Sequence, residues 1–142
     1  MTDLRTYISL IRQTGDLKII KKKVSTKYEI AGVTAKVDGS HAILFENIAE
    51  SDFNLVANLV GTRKRFAQAI GSTEAKIHET IISAIKKAKK PKVISSGKFM
   101  ENSSKNISIM PIVTHFEKES GPFITSSIVY VKNPETGEQN SS

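Results

Sequence analysis

The spacing of apolar residues predicts that helices and strands alternate along the first part of the chain. A first helix has Asp3 as its N-cap and ends before Gly15. Its apolar face recurs at i, i+3, i+4 and i+7, at Leu4, Tyr7, Ile8 and Ile11. Short apolar runs predict strands at 17–20, 42–45 and 54–58.

Three further helices are predicted between and after these strands. The second helix begins in a capping box formed by Thr26 and Glu29 and ends at Gly39. A third helix begins at residues 61–63 and ends at Gly71, with an apolar side made of Phe66, Ala67, Ala69 and Ile70. Residues 74–90 predict a fourth, with lysines outward and an inward face of Ile77, Ile81, Ala84, Ile85 and Ala88.

This order of elements predicts the α/β class, with a layered α/β domain over residues 1–92. A polar connector follows at 93–106, and residues 107–142 are rich in β-branched residues. The apolar run 107–110 and the segment 123–131 favour strands, and 133–137 is a turn in which Pro134 fixes φ. Only five residues follow that turn, so we expect the returning strand of the hairpin to be missing.

Composition narrows the class of protein. The chain has 142 residues, 39% hydrophobic and 25% charged, enough for one globular domain or for one domain and part of a second. It has no cysteine, which excludes disulfides, thiolate zinc sites and a cysteine nucleophile. No apolar run approaches the roughly eighteen residues of a membrane span, and the N-terminus does not resemble a secretory signal. We therefore expect a cytoplasmic protein.

The formal charge of +7 is concentrated in two lysine runs, 21–23 and 86–92. The second run consists of Lys86, Lys87, Lys89, Lys90 and Lys92. Such runs attract phosphates or nucleic acid, but more commonly they form a solvated face. No aromatic residue is interleaved with either run, which argues against base stacking and so against a nucleic-acid partner.

Candidate chemistry is sparse. The sequence has no phosphate-binding glycine loop, GxGxxG, HExxH or GxSxG motif. The helix start at 61–63 could bind an anion through backbone amides, although a packing cap is the commoner role. His115 lies in a polar loop between two predicted β segments, where functional residues often occur. We predict no complete active site and no catalytic residue within the chain.

Several stretches occur in the order and spacing of the N-terminal part of UbiD-type decarboxylases, which use prenylated FMN. They are Asp3-Leu4-Arg5, Ile43-Leu44-Phe45-Glu46-Asn47, Ser51-Asp52-Phe53, Asn58-Leu59-Val60-Gly61-Thr62-Arg63, Met110-Pro111-Ile112-Val113-Thr114-His115, Gly121-Pro122-Phe123-Ile124-Thr125 and Asn133-Pro134-Glu135-Thr136-Gly137. The series runs from end to end of the chain, so the chain resembles this family throughout. The segments 24–31, 114–118 and 139–142 resemble the archaeal anhydromevalonate phosphate decarboxylases of the modified mevalonate pathway.

The resemblance implies a non-oxidative, reversible decarboxylation of an α,β-unsaturated acid. In the archaeal branch the substrate is trans-anhydromevalonate 5-phosphate and the product is isopentenyl phosphate. Prenylated FMN would act as the electron sink, with a divalent metal, typically Mn²⁺, bridging the protein and the flavin phosphate, and K⁺ nearby.

Residue by residue, the resemblance places one metal ligand in this chain, Asn140, whose amide oxygen suits manganese. The alternative is that Asn140 belongs to an unstructured chain end. The flavin-contacting segment is expected just beyond Ser142. Residues 107–142 would then be the first strands of an incomplete, flavin-reductase-like split β-barrel.

The resemblance also implies a partner. We expect a truncated form or split subunit, inactive alone, that is completed by a chain carrying the rest of the barrel and the C-terminal domain, or a homo-oligomer. The rival hypothesis is a non-enzymatic basic module that keeps the decarboxylase N-terminal domain and binds an anionic partner through its lysines.

Overall fold

The computed structural model describes residues 3–90, 92–125 and 127–141. Its helices are α1 (Leu4–Gln13), α2 (Glu29–Lys36), α3 (Arg63–Ala69) and α4 (Ile77–Lys86). Its strands are β1 (Leu17–Ile20), β2 (Ala42–Phe45), β3 (Leu55–Ala57), β4 (Tyr130–Lys132) and β5 (Gln139–Ser141). Short 3-10 helices lie at Glu74–Lys76, Lys98–Met100 and Ile107–Ile109.

β2 is the central strand of a three-stranded sheet. It pairs in parallel with β1, where Leu17 faces Ala42, and antiparallel with β3, where Phe45 faces Leu55. Alternate residues of β2 enter two apolar clusters. One cluster comprises Val24, Ile30, Ile43, Phe45, Ile48 and Val113, and the other Tyr7, Ile11, Leu17 and Ala42. The sheet therefore lies between α2 on one face and α1 on the other, and the predicted mixed α/β fold is confirmed.

Several helix ends follow the local sequence as predicted. The carboxylate of Asp3 accepts hydrogen bonds from the backbone amides of Arg5 and Thr6, which lack intrahelical partners. Gly15 adopts a φ of +78° just beyond α1, a conformation that glycine adopts without steric cost. Thr62 caps α3 by accepting from the amide of Arg65.

The capping box predicted for α2 is wrong. The helix begins only at Glu29, after Tyr28, and the Glu29 carboxylate accepts from the amide of Ser25 at 2.7 Å. The reason is tertiary: the chain at Thr114 pairs with residues 26–28, accepting from the amide of Tyr28 and donating to the carbonyl of Thr26. This pairing holds residues 26–28 outside the helix, with Thr26 in a turn and Tyr28 at a φ of +69°.

The fourth helix is shorter than predicted and its inward face is largely exposed. A 3-10 turn occupies Glu74–Lys76 and α4 ends at Lys86, so the lysines from Lys87 to Lys90 lie outside it. Like charges four residues apart, such as Lys86 and Lys90, disfavour further helix. Ile77 is buried, whereas Ile81 and Ile85 are exposed, because no described element covers that side of α4.

The β segments of the second half also differ from the prediction. Residues 107–109 form a 3-10 helix, and the strand expected at 123–131 is reduced to β4 at Tyr130–Lys132. The returning strand, expected to be missing, is present as β5, which pairs antiparallel with β4. Three residues are enough to form β5 because two backbone hydrogen bonds close the turn before it. The amide of Asn133 donates to the carbonyl of Glu138, and the amide of Gly137 donates to the carbonyl of Asn133. Ser126 and Ser142 lie outside the described residues, and the wider barrel stays a prediction.

Part of the second half packs on the first. Val113 is buried with Phe45 and Ile48 in the α2-side cluster. The hydroxyl of Ser51 donates to the carbonyl of Ile109 at 2.6 Å, which fixes the chain just before this contact. Among the described helices, none combines the length and the apolar character required to cross a bilayer.

Candidate functional site

Asn140 lies in β5, opposite Val131 of β4, and its side chain is exposed. The hairpin is held by its turn: the Asn133 carboxamide oxygen accepts from the amides of Glu135 and Thr136, at 2.8 and 3.2 Å. Gly137 has a φ of +75°, which favours glycine there. The carboxamide oxygen of Asn140 accepts from the amide of Ser141 at 2.9 Å. Asn140 therefore lies in a defined strand, not in an unstructured end.

The described residues around Asn140 do not form a metal site by themselves. Its amide oxygen is the hard donor that Mn²⁺ prefers. Across residues 3–90, 92–125 and 127–141, no three His, Cys, Asp or Glu residues come together as a metal site would require. The described part of the chain thus does not by itself fit a bound manganese ion or the flavin phosphate that the metal would bridge.

His115 lies at one side of an apolar groove. Its amide donates to the Glu119 carboxylate at 2.7 Å, and its ring packs near Phe116 with centroids 6.4 Å apart. The groove, of about 2200 Å³, is lined by α2, β3 and parts of the segment 102–125. The lining is mostly apolar, with a few polar residues such as Asn58 and His115.

Both lysine runs are exposed. Lys86 is the last residue of α4 and Lys87 its C-cap, and the remaining lysines of the 86–92 run follow without regular structure. Lys21, Lys22 and Lys23 follow β1. In the described part of the chain, the one ion pair within 4.0 Å joins Arg12 and Glu46, so the lysine runs have no carboxylate partner there.

The helix start at 61–63 is occupied by the protein itself. The side chain of Thr62 satisfies the amide of Arg65 at 3.2 Å. A Cβ added at Gly61 would meet the Arg65 guanidinium and the Asn58 carbonyl at 3.3 Å. The geometry supports the packing cap over anion binding.

Arg65 is the residue that sequence reasoning missed. Its side chain is 2% exposed, and the guanidinium donates to the carbonyls of Ser40 at 2.7 Å, Asn58 at 3.1 Å and Leu59 at 3.3 Å. The Tyr7 hydroxyl donates to the Arg65 carbonyl at 2.8 Å. One sequence signal could have indicated that Arg65 is buried. Arg65 lies four residues before Ala69, and so on the predicted apolar side of the third helix.

Comparison with family profiles covers nearly the whole chain. Residues 8–85, more than half of it, match the 3-octaprenyl-4-hydroxybenzoate carboxy-lyase N-terminal domain, UbiD_N. Residues 86–142 match the Rift-related domain of the same carboxy-lyase, UbiD.

Curated relatives include decarboxylases that are longer than this chain. The anhydromevalonate phosphate decarboxylase of Methanothermobacter thermautotrophicus is 27% identical over 98% of this chain and 32% of that protein. The anhydromevalonate phosphate decarboxylase of Methanosarcina mazei is 28% identical over 88% of this chain and 29% of that protein. A 4-hydroxybenzoate decarboxylase polypeptide of Chlamydia pneumoniae is 30% identical over 94% and 27%. The chain spans about a third of the length of the curated relatives that it matches.

Solved structures have the same fold. The UbiD-class enzyme HmfF from Pelotomaculum thermopropionicum, an evolved dimeric form in complex with prFMN, superimposes with a TM-score of 0.85. It is 26% identical over 100% of this chain and 35% of that one. The open form of vanillic acid decarboxylase from Sedimentibacter hydroxybenzoicus has a TM-score of 0.77 at 21% identity, over 99% and 33% of the two chains. At that identity the likeness shows the fold alone.

Proposed function

The chain belongs to the UbiD family of carboxy-lyases, and on that premise we propose that it forms the N-terminal third of an enzyme that decarboxylates an α,β-unsaturated acid without oxidation. One observation carries the proposal: the two family domains match in order along residues 8–142, on a fold that superimposes on a UbiD-class enzyme with a TM-score of 0.85. The remainder of the enzyme, on the same polypeptide or a second one, completes the reaction centre, and the chain alone is inactive.

For the substrate we propose trans-anhydromevalonate 5-phosphate, converted to isopentenyl phosphate. Two lines support this choice: the branch-like segments 24–31 and 114–118, and the two anhydromevalonate phosphate decarboxylases at 27% and 28% identity. We further propose a cytoplasmic setting, in which a chain without cysteine has no need of the disulfides common in secreted proteins.

For the cofactors we propose prenylated FMN with Mn²⁺ and K⁺, held mainly by the rest of the enzyme. The support for the flavin is the solved UbiD-class relative in complex with prFMN, while the two metal ions are what the family resemblance implies. From this chain, Asn140 on β5 would supply one oxygen ligand to the metal, and the main flavin contacts would begin beyond Ser142.

The partner we propose is the remaining barrel and C-terminal domain, with a homo-oligomer as the further level of assembly. The exposure of apolar residues in and before the hairpin supports it, because such surface is normally covered. Phe123, Ile128, Val129, Tyr130 and Val131 are all exposed. β4 and β5 each have a second edge that no described strand occupies, and open edges favour pairing with another strand.

A chimera tests the function. Residues 1–142 replace the matching third of the Methanothermobacter thermautotrophicus decarboxylase, and the protein is produced in cells that make prenylated FMN. We expect flavin absorbance at one equivalent per chain and release of CO₂ from trans-anhydromevalonate 5-phosphate, whereas residues 1–142 alone give neither. A folded chimera that binds no flavin would contradict the proposal.

The substrate branch is tested by a second chimera, made in the same way with the Chlamydia pneumoniae protein. If the branch is right, the first chimera keeps a larger share of its parent's activity than the second. The reverse order would overturn the substrate and leave the carboxy-lyase function standing.

The role of Asn140 is tested in the first chimera. Asn140→Ala should weaken manganese binding by more than about tenfold, since even outer-shell changes have effects of that size. Gln139→Ala is the matched control, because adjacent residues of a strand point to opposite faces. Equal manganese affinity in the two variants would remove Asn140 from the metal site.

The second candidate function is a non-enzymatic basic module that binds an anionic partner. The exposure of every lysine in the 86–92 run favours it. Salt-sensitive binding to RNA or to an acidic protein, lost when Lys86, Lys87, Lys89 and Lys90 are neutralised, would support this candidate if the chimeras stay without flavin.

A further inference from the structure

The outer side of α4 carries an apolar stripe. Ile81, Ile82 and Ile85 are 38%, 52% and 72% exposed. At 100° per residue, these three side chains fall within about 100° of one another around the helix axis. Ile77, on the adjoining inner side, is buried at 6% exposure, so the orientation of α4 is fixed and the stripe faces outward.

The stripe runs directly into the lysine run. Lys86 ends the helix, Lys87 is its C-cap, and Lys89 and Lys90 follow, all exposed. No carboxylate in the described residues pairs with them within 4.0 Å. An apolar strip therefore adjoins positive charge that the described part of the molecule leaves unpaired. We call Ile81, Ile82, Ile85, Lys86, Lys87, Lys89 and Lys90 the α4 surface.

We propose that the α4 surface binds an acidic amphipathic segment of a protein partner. The apolar side of such a segment would cover the isoleucines, and its carboxylates would pair with the lysines. Charge complementarity would orient the segment and speed its encounter, while burial of the isoleucines would hold it. This inference does not depend on the proposed decarboxylase role.

The same residues disfavour other occupants. Nucleic acid would engage the lysines but leave the isoleucines exposed, and no Phe, Tyr or Trp between 74 and 92 offers a base a stacking surface. A second copy of the chain would bring two molecules of charge +7 together through their lysines. Membrane-surface helices commonly carry Trp, Phe or Leu on the apolar face, and α4 contains none of these residues.

The test is a binding titration with a defined peptide. The probe is a fluorescent synthetic helix of leucine on one face and glutamate on the other, titrated with the full chain near 0.15 M salt, where exposed charges are screened beyond about 8 Å. We expect the double variant Ile82→Ser/Ile85→Ser to bind the peptide about tenfold or more weakly. Serine at both positions removes the apolar surface against which the peptide's leucines would be buried. Lys86→Gln/Lys87→Gln should also weaken binding, more strongly as salt is lowered.

Two controls separate this surface from general attraction. Lys21→Gln/Lys22→Gln removes the same charge elsewhere and should leave the affinity unchanged. Since the substituted isoleucines are exposed, circular dichroism should show the same melting temperature for the isoleucine variant as for the wild type. If that variant is unfolded, the binding site is mapped instead on the wild-type chain, by the changes in its backbone amide NMR shifts when the peptide is added. We expect these changes at residues 81–90 and not at residues 17–23.

Four results would overturn the proposal. Equal binding of an all-glutamate peptide would reduce the surface to a general polyanion site. Tighter binding of single-stranded RNA would assign it to nucleic acid. Dimerisation that Ile85→Ser abolishes would assign it to a second copy. Peptide binding by the chain but not by the flavin-loaded chimera would assign it to the enzyme's own remaining part.

Discussion

The guanidinium of Arg65 lies among backbone carbonyls rather than carboxylates. It connects Ser40, in the turn between α2 and β2, with Asn58 and Leu59 after β3, and the Arg65 carbonyl accepts a hydrogen bond from the Tyr7 hydroxyl of α1. One side chain thus ties three separate parts of the chain together. The sequence alone could not show this, because arginine is seldom buried and one of its acceptors, Ser40, lies 25 residues away along the chain.

Replacement of Arg65 should cost stability. Arg65→Met keeps much of the apolar volume but removes three hydrogen bonds, and it leaves the Ser40 carbonyl without a donor among the described residues. We therefore expect a loss of about 2–4 kcal/mol in the free energy of unfolding. Lys64→Met is the matched control on the same helix, exposed, and should change it by less than about 0.5 kcal/mol. Urea unfolding measures both, and equal midpoints would show that the Arg65 contacts contribute little.

Glu50 makes the stability depend on acid pH. The Ser25 hydroxyl donates to its carboxylate at 2.5 Å and the amide of Thr26 at 2.9 Å, and these bonds hold the pKa of Glu50 below its ordinary value of 4.5. The stabilisation is therefore complete above about pH 4.5 and is lost as the pH falls through the lower pKa of the folded state.

Glu50→Gln should flatten the fall of the unfolding free energy below pH 4.5, because the variant has no carboxylate to protonate there. Ser25→Ala, which removes the main donor, should flatten it in the same direction. Urea unfolding across the acid range measures the slopes. A slope in Glu50→Gln as steep as that of the wild type would assign the acid sensitivity to other groups.

At the scale of elements, local signals predicted which segments are helices and strands better than they predicted their contacts. The helix ends at Asp3, Gly15 and Thr62 follow from short-range chemistry and are confirmed. The predicted start of α2 was wrong because Thr114 pairs with residues 26–28, a contact between distant parts of the chain. The predicted length of α4 was wrong because periodicity reports an amphipathic pattern, not whether a neighbour covers it.

The orientation of α4 gives a matched pair of variants on one helix. Ile77→Ala removes a buried side chain and should cost about 2–4 kcal/mol of stability. Ile85→Ala removes the same atoms from an exposed position and should cost less than about 0.5 kcal/mol. Thermal or urea unfolding of the two variants is the measurement. A large loss from Ile85→Ala in the 142-residue chain would mean that the outer side of α4 is covered.

At the scale of the whole molecule, family membership followed from an ordered series of short motifs. The motif 110–115 shows why the order of the motifs indicates a shared fold. Val113 within it packs into the core beside Phe45, which belongs to another motif of the series. The active site could not be predicted in the same way. The chain spans about a third of its relatives, and Asn140 is the one expected metal ligand within it.

The central claim, that this chain is the N-terminal third of a working carboxy-lyase, is tested most directly by the native mass of the protein purified gently from cells. We expect either a longer polypeptide that contains this sequence or a tight complex with a second polypeptide, in both cases with flavin absorbance. A lone species of 15.6 kDa without flavin would contradict it.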